Sequence, residues 1–341
     1  MRVLVIGGAG FIGINSANYF AKKGYEVIII DDLSRVGTDK NLLWLQSNFN
    51  VKFIKQDIRD FNGLNRAISD IGVVDAVLLL AAQVAVTTSI SDPRLDFEIN
   101  CLGTFNVLES LRNNQMTPLL IYSSTNKVYG GMEEVAIEEY GGRYLYRDLP
   151  NGIDEHSLLD FHSPYGCSKG AAEQYVRDYS RIYGMPTTVF RQSCIYGERQ
   201  FGVEDQGWVA WFTIAAALER PIKVYGDGKQ VRDVLFVEDL VKAYELAIIN
   251  RDVVNGKIFN VGGGAENTLS LLELISLLEK FFGRKINHSF HEWRKGDQPV
   301  YISNINKIQS ELGWVPTTNI SKGIECLSKW VHENSELFQA K

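Results

Sequence analysis

The sequence predicts an α/β fold: a doubly wound parallel sheet of the Rossmann type, joined to a smaller, mixed C-terminal domain. Three observations predict it. Short apolar runs rich in valine and isoleucine alternate with helix-length segments up to residue 191, the form of strands buried on both faces. A glycine-rich turn follows the first of these runs at once and opens a helix. After Arg191 the strand–helix alternation stops, so the remainder is of another kind. The reading places residues 1–190 and about 234–260 in the first domain, and 191–233 and about 261–341 in the second.

The first run is Arg2-Val3-Leu4-Val5-Ile6, followed by Gly7-Gly8-Ala9-Gly10-Phe11-Ile12-Gly13. Glycines at these spacings let a backbone turn tightly and approach a pyrophosphate seated on a helix N-terminus. A helix to about Lys23 and a stop at Gly24 follow. Residues 25–30 form the second strand, which ends at Asp31 and Asp32, with Ser34 and Arg35 just beyond. An acid about 20 residues past the glycines suits a ribose hydroxyl. Asp31 would repel a 2′-phosphate, which favours NAD over NADP, although Arg35 nearby could meet a phosphate. Residues 51–54 form the third strand, with Asp57 and Ile58 after it, close to where an adenine would lie. Residues 75–80 form the fourth, followed by Ala81, Ala82 and Gln83, small enough at first for a cofactor to cross the strand end. A helix is expected over 95–113, with Asn100 either a buried bracket or a cofactor contact. Residues 118–122 form the fifth strand, running into Ser123-Ser124-Thr125-Asn126-Lys127.

Residues 131–164 form a long interval, expected as a loop over the ligand site and a candidate lid. A long helix then begins at Tyr165, and Tyr165 and Lys169 share one of its faces, one turn apart. An ammonium beside a phenol favours the phenolate, so this pair is read as a proton-transferring base with a lowered tyrosine pKa. Either Ser124 or Thr125 brings a hydroxyl to the same space. Residues 187–191 form the sixth strand. Beyond it, residues 205–219 read as a helix with Trp208 and Trp211 inward, residues 226–233 as a hairpin-like turn carrying Arg232, and residues 269–282 and 320–335 as helices.

Composition limits the alternatives. A 341-residue chain with 45% hydrophobic and 22% charged residues can bury a large core. The net charge of −6 argues against a nucleic-acid partner. Cys101, Cys167, Cys194 and Cys326 are scattered with no CxxC or Cys/His cluster, so neither a metal nor a disulfide is expected. Free thiols, the absence of a signal-like start and the absence of an apolar run of about 18 residues lead to the expectation of a cytoplasmic protein off the membrane.

Together the glycines, Asp31, the Ser124-Thr125 strand end and Tyr165-x-x-x-Lys169 resemble the extended short-chain dehydrogenase/reductases that act on nucleotide sugars, over essentially the whole chain. Residues 123–130, 159–172 and 205–209 resemble, more narrowly, the members that epimerise a CDP-linked deoxyhexose at C2. The resemblance implies tightly bound NAD, regenerated each turnover through a 2-keto sugar, and a homo-oligomer, dimer or tetramer. It implies Arg232 and the arginine of Arg294-Lys295-Gly296-Asp297 on the diphosphate, Asp297 on the nucleotide ribose, and Asn126 and Gln206 at the substrate. Cys194 stands where many relatives carry a diphosphate-contacting asparagine. Family 4,6-dehydratases carry an Asp-Glu pair after the strand-end threonine, whereas Asn126-Lys127 follow Thr125 here. A 4-epimerase shares the catalytic trio and is the alternative. A non-catalytic NAD-binding relative fits poorly, since such proteins commonly lose the tyrosine or the lysine.

Overall fold

The computed structural model describes residues 1–294 and 296–338; Lys295, quoted above within the Arg294–Asp297 motif, lies outside the described residues. The chain forms two compact units, one of residues 1–128, 161–191 and 241–259, the other of residues 129–160, 192–240 and 260 onward. Residues 129–160, which the sequence reading kept with the first domain, cluster with the second unit. Their backbone bonds go there, from Tyr144 N–H to Lys229 O and from Ile153 N–H to Ile302 O.

The first unit is organised on a seven-stranded sheet. Its strands are β1 (Arg2–Ile6), β2 (Glu26–Asp31), β3 (Lys52–Lys55), β4 (Ala76–Leu79), β5 (Leu119–Thr125), β6 (Thr187–Gln192) and β7 (Ile258–Val261). They lie in the spatial order β3-β2-β1-β4-β5-β6-β7. The order reverses between β1 and β4, which is where a doubly wound sheet leaves a crevice at its carboxyl ends. The β1–β2, β2–β3, β1–β4 and β4–β5 registers are parallel. Burial on both faces explains the continuous apolar runs: Val3, Leu4, Val5 and Ile6 are all inaccessible to solvent. Leu4, Ile28, Val77, Leu120 and Tyr122 pack in one core with Ile68, Leu108 and Val176 from the helices.

Two local features differ from expectation, and a third agrees with it. β5 runs on to Thr125, so Ser124 and Thr125 are strand residues. The helix expected over 95–113 is in three pieces: Pro93–Phe97, a π-helical turn Glu98–Leu102, and Gly103–Asn113. A π turn holds an extra residue and re-aims the side chains it carries; here Asn100 is buried within it. The helix of the Tyr165–Lys169 pair spans Pro164–Tyr183. Ser163 caps it by accepting from Gly166 N–H at 3.1 Å, Pro164 occupies its first turn, and Gly184 in a left-handed conformation ends it.

In the second unit the helices Trp208–Ala217, Leu271–Phe282 and Ile320–Glu333 share a core through Ile214, Leu274, Leu278, Leu327 and Val331. Val209, Ala210 and Phe212 take the buried face of the first of these, while Trp208 and Trp211, expected inward, are only half-buried. Strand Val231–Phe236 pairs with Thr268–Ser270, Val300–Tyr301 and Cys194–Tyr196. Strand Ile222–Tyr225 pairs instead with His288–His291, so the turn expected as a hairpin joins two different sheets. The long interval before the Pro164–Tyr183 helix is ordered in part: residues 147–163 lie outside regular helices and strands, as expected of a loop, but residues 137–146 do not. Ile137–Tyr140 and Arg143–Tyr146 form an antiparallel hairpin. Tyr146 Oη–H donates to Val300 O at 2.9 Å, Tyr144 Oη–H to Asp227 at 2.6 Å, and Arg143 reaches Glu273 and Thr268. Among the described residues, no helix is long and apolar enough to cross a membrane.

Candidate active site

The turn after β1 leaves least room for a side chain at Gly7 and Gly13. Gly7 has a φ of +83°, and a Cβ there would lie 2.4 Å from Ala81 N; a Cβ on Gly13 would lie 2.2 Å from Gly7 O. The Phe11–Lys22 helix begins directly after Gly10, which offers no side-chain cap, and a Cβ on Gly10 would approach only Gly7 O, at 3.3 Å. A bare turn opening on this helix N-terminus, where Phe11 and Ile12 stand, fits a pyrophosphate. Asp31 ends β2 and is buried. It accepts from Ala9 N–H at 3.0 Å and Leu33 N–H at 2.8 Å, which braces the turn, and burial raises its carboxyl pKa. Asp32 accepts from both the N–H and the hydroxyl of Ser34. Arg35 carries its charge within reach of Asp31 and Tyr165.

The remaining expected cofactor residues divide into two kinds. Ala81 and Ala82 are half-buried just beyond β4, with Ala81 against Gly7. Asp57 is gripped by Arg59, and the Ile58 side chain belongs to the core. Gln83 and Asn100 are spent on each other. Gln83 N–H donates to Asn100 Oδ1 at 2.9 Å, and Asn100 Nδ2 donates to Gln83 O at 3.0 Å. Of the two readings of Asn100, its geometry is that of the bracket.

Tyr165 and Lys169 are both buried on the Pro164–Tyr183 helix. The Thr125 hydroxyl acts on the Tyr165 phenol, favouring its ionised form. Ser124 faces elsewhere and donates to Glu173 Oε2 at 2.9 Å. The tyrosine pKa moves opposite to expectation: burial pushes it up to about 12, with the Thr125 hydroxyl and the Arg35 charge pulling down and the Asp96 charge pushing up. The lysine does not offset this because its own surroundings hold it. Its Nζ lies 4.3 Å from the centre of the Tyr122 ring. Burial lowers its pKa to about 7, against the attraction of Asp96 and then Glu173. Asn126 accepts from Thr125 Oγ1 at 3.3 Å.

The other expected substrate residues lie in the second unit. Arg232 Nη2 meets Asp297 Oδ1 at 2.5 Å, so the expected diphosphate and ribose ligands form an ion pair. Arg294 stacks 4.1 Å over the Tyr225 ring, donates to Glu204 O and pairs with Asp205. Cys194 begins the Cys194–Tyr196 strand and is half-buried. Gln206 closes a short bridge with Val203.

The GDP-mannose 4,6 dehydratase family model matches residues 4–327. The CDP-paratose 2-epimerase of Salmonella typhi is 45% identical over 335 residues, covering 97% of this chain and 99% of that protein. The chain belongs to the extended short-chain dehydrogenase/reductase family of nucleotide-sugar epimerases and dehydratases. A putative UDP-glucose 4-epimerase of Methanocaldococcus jannaschii is 32% identical, covering 98% of this chain and 99% of that one. The structure of Thermus thermophilus UDP-glucose 4-epimerase in complex with NAD superposes with a TM-score of 0.84 at 30% identity, covering 98% of this chain and all of that one.

The sequence reading of this family member missed three buried charges around the lysine. Glu173 and Arg191 form an ion pair at 2.6 Å with almost no solvent exposure. Asp96 lies below the Tyr165–Lys169 helix and accepts from Ser168 Oγ at 2.5 Å. A helical-spacing signal existed for each acid: Glu173 is four residues after Lys169, and Asp96 four before Asn100.

Proposed function

We propose that the protein epimerises C2 of a CDP-linked sugar, CDP-paratose to CDP-tyvelose, with tightly held NAD regenerated at each turnover. The observation that carries this reading is the buried Tyr165, with the Thr125 hydroxyl lowering its pKa and buried Lys169 one helical turn away, in a chain 45% identical to a CDP-paratose 2-epimerase along its length. NAD, when bound, supplies a hydride acceptor that returns the hydride to the opposite face of the same carbon. Gly7, Gly10, Phe11, Ile12 and Gly13 would hold its pyrophosphate, and Asp31, Asp32, Ser34 and Arg35 its adenosine ribose. Asp57 and Ile58 would border the adenine, and Ala81 and Ala82 would give it passage past β4. Gln83 and Asn100 would serve through the frame they build.

Tyr165 takes the proton of the C2 hydroxyl and gives it back to the oxygen of the 2-keto sugar. Thr125 holds that oxygen. Lys169, one helical turn away, would hold the nicotinamide ribose and, when charged, would favour the phenolate. Arg232, Arg294 and Asp297 would clamp the nucleotide diphosphate and ribose once their present partners give way, with Asn126, Cys194 and Gln206 as further substrate contacts. A bidentate guanidinium suits a diphosphate, and exchanging Asp297 or Asp205 for phosphate oxygens keeps each arginine paired.

The alternative is a UDP-hexose 4-epimerase, the activity named for several relatives. NMR of the products from CDP-paratose and from UDP-glucose separates the two: inversion at C2 of the first supports the proposal, and turnover of the second alone overturns it. Product made in heavy water should carry no deuterium at C2, since the hydrogen returns as hydride. Asn126-Lys127 in place of an acid pair disfavours the dehydratase. The proposal includes a homo-oligomer, which sedimentation velocity tests.

A further inference from the structure

We propose that the hairpin of residues 137–146 positions Arg232 for the diphosphate of the nucleotide sugar, chiefly through Arg143 and Tyr144. The inference rests on the reading of Arg232 as a diphosphate ligand. Arg232 lies in strand Val231–Phe236, with Leu269 of Thr268–Ser270 beside it in one direction and Tyr301 of Val300–Tyr301 in the other. Neighbouring strands of three and two residues contribute few ladder bonds. The turn before the strand carries Gly226 and Gly228 at φ of +84° and +78°, a conformation that glycine adopts readily and leaves as readily. By itself this frame holds an arginine loosely. The ion pair with Asp297 does not hold it in the proposed complex, where Asp297 turns to the nucleotide ribose.

The hairpin reaches each piece of that frame. Tyr144 Oη–H donates to Asp227 Oδ2 at 2.6 Å and Tyr144 N–H to Lys229 O at 3.1 Å, while Asp227 Oδ1 accepts from Lys229 N–H at 3.0 Å. The glycine turn is thereby pinned at both Asp227 and Lys229. Arg143 donates through Nη2 to Thr268 Oγ1 at 2.7 Å and through Nη1 to Glu273 Oε1 at 3.0 Å. Glu273 also accepts from Ser270 N–H at 2.7 Å, so both ends of Thr268–Ser270 are tied. Tyr146 Oη–H donates to Val300 O at 2.9 Å, on the opposite neighbour. The Lys229–Glu139 pair, at 2.7 Å, is partly exposed and adds little. A guanidinium that grips two phosphate oxygens at once is demanding in angle, and a strand fixed before the ligand arrives spares binding the cost of ordering it. Arg143 and Tyr144 are spent on protein groups, so they act through Arg232.

Calorimetric titration of the NAD-loaded protein with CDP and with cytidine tests this, because only the first carries the phosphates. Arg143→Met combined with Tyr144→Phe should weaken CDP binding about tenfold and leave cytidine within about twofold of wild type. KM for the nucleotide sugar should rise by the same factor with kcat held. A hairpin that served stability alone would lower the melting temperature and leave the ratio of CDP to cytidine affinity unchanged. That unchanged ratio in a folded double variant overturns the proposal. If the double variant does not fold, Tyr144→Phe, which removes only the hydroxyl, is judged by the same ratio, with a change of about threefold expected. Arg232→Met separates the two readings. If it costs CDP affinity and the hairpin variants do not, the hairpin inference alone fails; if it costs none, the assignment of Arg232 to the diphosphate fails as well. UDP and uridine take the place of CDP and cytidine if the wild type binds uracil nucleotides instead.

Discussion

Ser124 donates to Glu173 at 2.9 Å while Thr125, its neighbour on β5, lowers the pKa of the Tyr165 phenol. Successive strand residues point to opposite faces, so one hydroxyl serves the core and the other faces Tyr165, where the proposed chemistry needs it. Thr125→Val should lower kcat/KM about 10²- to 10³-fold, and Thr125→Ser should keep it within about tenfold of wild type. Ser124→Ala should leave kcat within a few-fold and cost about 1–3 kcal/mol of stability, because Glu173 loses a buried donor. Kinetics and denaturant melts on the three variants check the split; a large kcat loss confined to Ser124→Ala would reverse the assignment.

Glu173 bonds Arg191 through both guanidinium Nη2, at 2.6 Å, and Nε, with neither residue meaningfully exposed. Breaking such a pair strands a buried charge. Glu173→Gln or Arg191→Met alone should each cost about 3–5 kcal/mol, and the double variant clearly less than their sum. A double-mutant cycle by chemical denaturation measures the difference, and strict additivity would mean that the pair is not coupled.

Asp233 supplies a pH signature in the second unit. It is fully buried, and burial raises its carboxyl from the ordinary 3.8 to about 6, against hydrogen bonds from Ser193 Oγ–H and Gly264 N–H. Between those values the folded chain holds a proton that the unfolded chain has lost. Wild-type stability should therefore fall, relative to Asp233→Asn, as pH rises from about 4 to about 6, by up to about 3 kcal/mol. Parallel melts of the two proteins across that window test it: a constant difference between them would show that Asp233 does not titrate there.

Residues 137–146, within the interval before the Pro164–Tyr183 helix, are pinned as a hairpin and should behave as one. Tyr144 N–H and Arg147 N–H donate to Lys229 O and Ala136 O. Hydrogen exchange at residues 143–147 should be slow, like that of a packed strand and unlike that of a lid. Fast exchange that slows only on adding CDP would restore the lid.

The strands of the first unit were legible because burial on both faces leaves continuous valine and isoleucine runs, and because Gly7 and Gly13 record steric demands directly. The hairpin at residues 137–146 was not legible. It has no long apolar run, and its stability comes from contacts with Asp227, Glu273 and Val300, over 80 residues away in sequence. The upward shift of Tyr165 was also hidden. Spacing reported that Lys169 lies one turn away, but not that the Tyr122 ring meets its ammonium or that the fold buries the phenol. Local pattern carries covalent neighbours and faces, while pKa depends on whatever the fold brings from elsewhere.

Gly7 and Gly24 separate steric contact from backbone conformation. Both have positive φ, +83° and +79°. A Cβ on Gly24 meets nothing within 4 Å, whereas one on Gly7 would lie 2.4 Å from Ala81 N and 2.7 Å from Ala81 Cα. Gly24→Ala should therefore cost only the left-handed conformation, about 1–2 kcal/mol, and leave NAD binding unchanged. Gly7→Ala carries that cost and forces apart β1 and the segment after β4, whose backbone atoms cannot rotate away. It should lose at least about 3 kcal/mol and most of its NAD affinity. Calorimetry of NAD binding beside thermal melts measures both quantities. If the two alanine variants proved equally stable and equally able to bind NAD, the tight approach of Ala81 to the turn would not be what demands glycine there.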